Sequence, residues 1–360
     1  MGRDRFQMLT YPLGETLQSA TARAIASGVL WIRLNLPFAP DHVNVWALED
    51  GDGWTIVDTG MRTPTAAEAW ESLWASALGA RPVRRVICTH RHRDHAGMAG
   101  WITNRFGCRL WMTRLEYLHG RLQEKTATAE LPDATLRFVK GAGWEADAIE
   151  HYRDHLSRFN EGCYPLPTSY RRMADGEEIA IGRHVWKVIV GRGHSPEHAC
   201  LHCPELKLLI SGDQVLPGIS SNVSVDGMEP DADPLSEWIA SLNLLERRVG
   251  DDTLVLPSHN APFLGLHERL RELVIGHEDA LRRVHGFIAD RCRTIDLFEL
   301  LFRRQVGNGL RGLATGESVA HLNCLIRRGL AEVETDPAGI RWYQARPGGL
   351  RPHKGVERYD

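Results

Sequence analysis

Residues 89–97 read Thr-His-Arg-His-Arg-Asp-His-Ala-Gly and follow directly on Arg85-Val86-Ile87-Cys88. That short, largely apolar run predicts a buried strand. His90, His92, Asp94 and His95 then stand on the loop that leaves it. Loops at the ends of buried strands are where α/β proteins place their sites. Three imidazoles and a carboxylate this close together suit a borderline divalent metal such as zinc. A histidine-rich solvent loop is the plain alternative, and it leaves the pattern downstream unexplained.

Three later segments repeat the arrangement of a strand followed by a ligand type. Gly193-His194-Ser195 comes after Val185-Trp186-Lys187-Val188-Ile189-Val190; Leu208-Leu209-Ile210-Ser211-Gly212 ends in Asp213; Leu254-Val255-Leu256-Pro257-Ser258 ends in His259. His-x-His-x-Asp-His after a short strand, with these three in this order, resembles the metallo-β-lactamase superfamily in its glyoxalase II-like branch. The resemblance covers roughly residues 28–270.

It implies an α/β fold, the four-layer αββα metallo-β-lactamase sandwich. It implies that His90, His92 and His194 hold one metal, that Asp94, His95 and His259 hold another, and that Asp213 bridges both. Room left for water would mark a catalytic rather than a structural site. The implied cofactors are two divalent ions, zinc first, with iron or manganese as alternatives. They would share a hydroxide, lowering the pKa of that water to about 7 from about 15.7. The catalytic candidates are Asp94, which would also orient the nucleophile, and Asp58, which would hydrogen-bond a histidine ligand or its loop. The plain reading of Asp58 is a turn in Asp-Thr-Gly. His198 and Glu197 read as capping or packing residues, and His119, His184 and His202 as structure or surface. No Gly-x-Ser-x-Gly elbow offers a serine nucleophile.

With 360 residues the chain has length for a large core and a second domain. Its 43% hydrophobic and 25% charged residues place it among globular proteins rather than disordered ones. It has no run of eighteen apolar residues, so no transmembrane helix is expected. The N-terminal residues lack an apolar signal region. With seven cysteines, an odd and modest number, this gives a cytoplasmic expectation. Cys200 and Cys203 form a lone CxxC, which reads as two buried thiols on a strand.

Residues 1–25 show no strand period and are expected to wrap the domain. Residues 29–57 read as a β-meander, 64–78 as a helix with Thr63 as its N-cap, 98–106 as a helix, and 234–248 and 267–290 as two more. Helical spacing recurs in 112–172, where the family often carries a lid over its metals. The catalytic domain is set at 1–280 and a winged-helix-like C-terminal domain at 281–360, with helices over 295–302 and 316–328 and two strands about Pro337-Ala338-Gly339. Residues 281–360 hold 14 Lys and Arg against 9 Asp and Glu, a net of +5 beside −8 for the rest.

The leading functional expectation is a dinuclear metal-dependent hydrolase acting on a small-molecule thioester, ester or lactone. The alternative is a phosphodiesterase or ribonuclease on RNA or a nucleotide, motivated by the basic tail but not favoured, since its basic residues are spread out. A mononuclear iron persulfide dioxygenase would need only two histidines and an aspartate, and the intact second set disfavours it. A non-catalytic binding protein is least consistent with a full ligand set. No membrane partner is expected; a homodimer is open.

Overall fold

The computed structural model describes residues 9–14, 17–126, 131–157, 159–302 and 305–347. The first sheet runs in the order β1 (Thr21–Ala26), β2 (Val29–Asn35), β3 (His42–Asp50), β4 (Gly53–Val57), β5 (Val83–Ile87), β6 (Arg109–Met112) and β7 (Arg171–Arg172). Neighbours are antiparallel as far as β4 and parallel from β4 to β7. The second sheet takes the order β12 (Leu254–Pro257), β11 (Leu208–Gly212), β10 (His198–Cys203), β9 (His184–Gly191) and β8 (Glu178–Ile181), with β11 and β12 parallel.

Both faces of the sheet are covered along β2, β3 and β4, and for that reason these strands read as largely continuous apolar runs rather than alternating ones. Trp31, Trp46, Leu48, Val57 and Ile87 point into a core shared with Trp186, Val188, Leu201 and Ile210 of the second sheet. Ile32, Val45, Ile56 and Val86 alternate with them on the other face and pack against Trp70 and Leu73 of α1 (Ala66–Ala75) and Ile102 of α3 (Ala99–Phe106). A register slip of one residue would exchange the two sets.

The remaining helices are α2 (Arg93–Ala96), α4 (Arg114–Thr126), α5 (Asp133–Gly141), α6 (Ala146–Ser157), α7 (Pro234–Arg248), α8 (Leu266–Phe287), α9 (Phe298–Phe302) and α10 (Asn308–Arg327). The segment 112–172 is thus largely helical. A third sheet has the order β13 (Cys292–Arg293), β15 (Arg341–Ala345), β14 (Ala331–Thr335). No described helix is long and apolar enough to cross a membrane.

The chain forms two compact units, one of Met1–Ala127, Arg158–Ser221 and Ser241–Leu270, the other of Thr128–Ser157, Asn222–Ala240 and Arg271–Asp360. Their limits differ from a cut at 280, because α8 runs unbroken through that position and α6 packs on α10, with Trp144 Nε1 donating to Thr315 Oγ1 at 2.9 Å. Three further details depart from the sequence expectation. Residues 21–26 form an edge strand, paired with β2, rather than an irregular wrap, and their alternation of small, polar and charged residues carries little apolar signal. Of the rest of the expected wrap, residues 1–8 and 15–16 lie outside the described residues, while Thr10 bridges to Leu264 and Tyr11, Leu13 and Leu17 pack against the core between the sheets. Helix α1 starts at Ala66, two residues later than its proline suggests, since Pro64 and Thr65 are spent on a turn. Helix α10 begins at Asn308, well before Gly316.

Candidate metal centre

Parallel pairing brings the ligand-bearing strand ends to one rim. In the first sheet Val57 pairs with Ile87, so Asp58 and the 88–95 loop leave β4 and β5 side by side. In the second, Gly212 pairs with Pro257, so Asp213 and His259 leave β11 and β12 in the same way. The two rims are stitched by backbone bonds. Ala199 N–H donates to the Thr89 carbonyl at 2.8 Å and Asn44 N–H to the Ser258 carbonyl at 2.6 Å. His92 opens the single helical turn α2, which carries Asp94 and His95, and Thr59 N–H holds the His95 carbonyl at 2.7 Å.

All seven sequence candidates converge. His90, His92 and His194 form one triplet, His90, His95 and Asp213 a second, and Asp94, His95 and His259 a third, each with its ligand atoms within 4.8 Å of one another. His90 Nε2 lies 2.9 Å from His92 Nδ1 and 3.2 Å from His194 Nε2. Asp94 Oδ2 is 3.4 Å from Nε2 of both His95 and His259. Asp213 stands between the sets, 3.4 Å from His95 Nε2 and 3.5 Å from the Nε2 atoms of His194 and His259.

Behind the ligands, the other ring nitrogens are fixed by protein groups. His95 Nδ1–H donates to Asp58 Oδ2 at 2.9 Å, and His259 Nδ1–H donates to the His42 carbonyl at 2.7 Å. Thr89 Oγ1–H donates to Asp58 Oδ2 at 2.8 Å, which leaves its oxygen to accept His90 Nδ1–H at 3.0 Å. Asp58 Oδ1 also takes the Thr89 N–H at 2.7 Å. These partners select the tautomer that presents Nε2 to the centre. Asp58 therefore acts on the ligands, and its own carboxylate is spent on them.

The family model described as Metallo-beta-lactamase superfamily matches residues 39–259. The chain belongs to that superfamily. A second model, Metallo-beta-lactamase-like, C-terminal domain, matches residues 281–346. A beta-lactamase domain protein from Burkholderia ambifaria is 37% identical, with a TM-score of 0.86 over 94% of this chain and 98% of that one. "Probable metallo-hydrolase YqjP" of Bacillus subtilis is 24% identical over 82% of this chain and 92% of its own length. "Acyl-coenzyme A thioesterase MBLAC2" of Gallus gallus is 26% identical over 54% of this chain and 66% of its own. "Hydroxyacylglutathione hydrolase" of Rhizobium meliloti is 26% identical over 42% and 63%. The chain thus spans under two thirds of each of the last two.

As a metallo-β-lactamase superfamily hydrolase, this chain should fit a divalent metal, and it does. Ligand atoms about 2.0–2.1 Å from a common ion at tetrahedral angles lie about 3.3 Å apart, close to the 3.2–3.5 Å found for most of these pairs. His95 Nε2 and Asp213 Oδ1 are buried without a hydrogen-bond partner. Charge agrees. Burial alone would raise the Asp94 and Asp213 carboxyls, but His95 and His259 beside them hold both well below the usual carboxylate range. Burial would lower His95 and His259, yet the carboxylates of Asp213 and Asp94 push both up, His259 to about 10, so this side of the site favours a positive charge that a metal ion would supply in place of the protons. Burial and the neighbouring imidazoles keep His90 and His92 neutral, the form in which imidazole ligates.

His198 is a positioning residue. It is fully buried, its Nε2 accepts the Asp213 backbone N–H at 3.1 Å, and burial pushes it down to about 3. Glu197 Oε2 accepts the Leu115 N–H at 2.8 Å, at the start of α4. His184 pairs with Glu205 and His202 sits in β10, away from the triplets. Cys200 and Cys203 are buried free thiols in the same strand.

Sequence reasoning missed three supports. Glu116, wholly buried on α4, accepts the Arg91 N–H and the Glu197 N–H, each at 2.9 Å, and so clamps both ligand loops. Asn44 Nδ2 holds the carbonyls of Pro257 and Asn260 at 2.8 and 2.7 Å, and His42 Nε2 accepts the Asn260 N–H at 2.8 Å. Each is a single polar residue whose role exists only through tertiary contact, and no motif spacing marks it.

Proposed function

We propose that this chain is a dinuclear metal-dependent acyl hydrolase whose substrates are thioesters, with esters and lactones as the wider class. The observation that carries the reading is the overlap of the three triplets. His90 and His95 each belong to two of them, and Asp213 lies within about 3.5 Å of ligand atoms of both metal sets. Two divalent ions held there would supply an activated water at neutral pH and polarise the carbonyl under attack. Asp94 faces His95 and His259 through Oδ2, leaving its other oxygen to accept a hydrogen bond from the attacking water and aim it. Asp58 and Thr89 keep His95 and His90 oriented, while Glu116 holds the two loops together.

Two relatives support the thioester class, since their names describe hydrolysis of acyl-coenzyme A and of hydroxyacylglutathione. The presence of Asp94, His95 and His259 as a second complete set favours a hydrolase with two ions over a one-iron dioxygenase. The test is zinc-loaded protein assayed on acyl-coenzyme A, acylglutathione, a lactone and a bis-aryl phosphodiester. Turnover of a thioester with no phosphodiester cleavage supports the reading. Phosphodiester cleavage alone would replace it.

The C-terminal segment has the order helix, short strand, helix, helix, hairpin, which supports a winged-helix type. Nucleic acid is a weaker reading for it. Arg328 is paired to both oxygens of Glu278, and Arg311 stands over the Trp144 ring at 5.7 Å. Such engagement leaves fewer guanidiniums for phosphates. All seven cysteines are free thiols, which supports a cytoplasmic setting.

A further inference from the structure

The unit containing the C-terminal segment has a cavity of about 220 Å³ whose lining includes none of the metal-centre residues. Its walls come from α5, from the loop at Gly227 and Pro230, from Thr294 and β15, and from α10. Those walls are braced against one another. Ile295 N–H donates to the Ala142 carbonyl at 3.3 Å, and Asn323 Nδ2 holds the carbonyls of Pro230 and Ala232 at 3.0 and 2.8 Å. A cavity fixed this way is formed before any ligand arrives, as binding sites usually are.

Its lining has two chemistries. Phe138 and Val319 supply apolar surface. Arg137 and Arg341 supply two guanidiniums. Arg137 makes no hydrogen bond or ion pair among the described residues, and Arg341 pairs with Asp231, a mostly exposed partner, at 3.3 Å and stands over the Tyr343 ring at 5.8 Å. Such an exposed pair is weak and easily exchanged. Thr294 and Tyr343 back the wall, with their side chains fully buried beside each other.

We propose that this cavity binds a compact organic anion. Its carboxylate or phosphate would lie on the Arg137 and Arg341 guanidiniums, which suit planar, bidentate oxyanion recognition. Its apolar body lies against Phe138 and Val319. At about 30 Å³ per water, the cavity has the volume of about seven waters, which suits a small aromatic or branched acid.

The test is equilibrium dialysis of the metal-loaded full-length protein against benzoate, phenyl phosphate and inorganic phosphate. Saturable binding of benzoate or phenyl phosphate is expected, and whichever binds tighter names the head group. Arg137→Gln and Arg341→Gln should each weaken it about tenfold, the scale of one charge-assisted hydrogen bond. His90→Ala, which disturbs the metal centre alone, should bind the anion as the wild type does. Inorganic phosphate lacks the apolar body and should bind at least about tenfold more weakly than phenyl phosphate. No binding of either aromatic anion, binding indifferent to both arginine substitutions, or binding lost in His90→Ala would overturn the assignment.

Discussion

The carboxylate of Asp58 and the imidazole of His95 are joined Oδ2 to Nδ1 at 2.9 Å, with both side chains wholly buried. The same oxygen receives the Thr89 hydroxyl, which in turn receives His90. One carboxylate thus orients, directly or through Thr89, a histidine in each candidate metal set. It does so from a backbone at φ 61°, a left-handed conformation that asparagine and aspartate tolerate better than most residues.

Asp58→Asn should therefore keep the backbone and lose the orientation. Metal affinity is expected to fall about 10–100-fold, measured by competition with a chromophoric chelator. Thr89→Val cuts only the His90 limb and should fall at the lower end of that range. Wild-type affinity in both would remove Asp58 from the centre.

Gly212 precedes Asp213 at φ 53°, and a Cβ there would lie 2.4 Å from the His198 ring. Gly212→Ala combines left-handed strain with overpacking and should cost about 2–4 kcal/mol. Urea unfolding reads this directly. An unchanged midpoint would mean that His198 can move aside without loss.

Glu116→Gln leaves one acceptor where two backbone donors converge, so a buried N–H of Arg91 or Glu197 goes unpaired. The expected loss is about 1–3 kcal/mol, together with a lower kcat/KM because both ligand loops loosen. Full activity at reduced stability would confine Glu116 to folding.

Burial pushes the Glu317 carboxyl up to about 7 from its ordinary 4.5, against the lowering effect of the Asn222 amide bound at 2.8 Å. A folded-state value above the unfolded one gives stability that is complete below pH 4.5 and is lost as pH rises through about 7. Glu317→Gln stays neutral throughout. Its melting temperature relative to wild type should rise between pH 5 and pH 8. A constant difference across that range would show that Glu317 ionises freely.

The convergence of the candidate metal ligands was legible because each follows closely on an apolar strand, and the ends of parallel-paired strands gather most of them. Val57 beside Ile87 and Gly212 beside Pro257 are the pairings that turn sequence order into a site. Glu116, Asn44 and His42 were not legible, since their partners lie in distant segments and no periodicity links them. Strand β1 escaped because Thr21–Ala26 offers only alanine, isoleucine and the stem of Arg23 to a half-exposed edge. The limits of the two units escaped because Trp144 and Thr315 meet across 171 residues of chain.

The central claim is a two-ion centre, and the most direct measurement is metal content by mass spectrometry after zinc loading and exhaustive dialysis. Two zinc ions per chain are expected, falling to one in His259→Ala. A single ion per chain in the wild type, unchanged by His259→Ala, would contradict it.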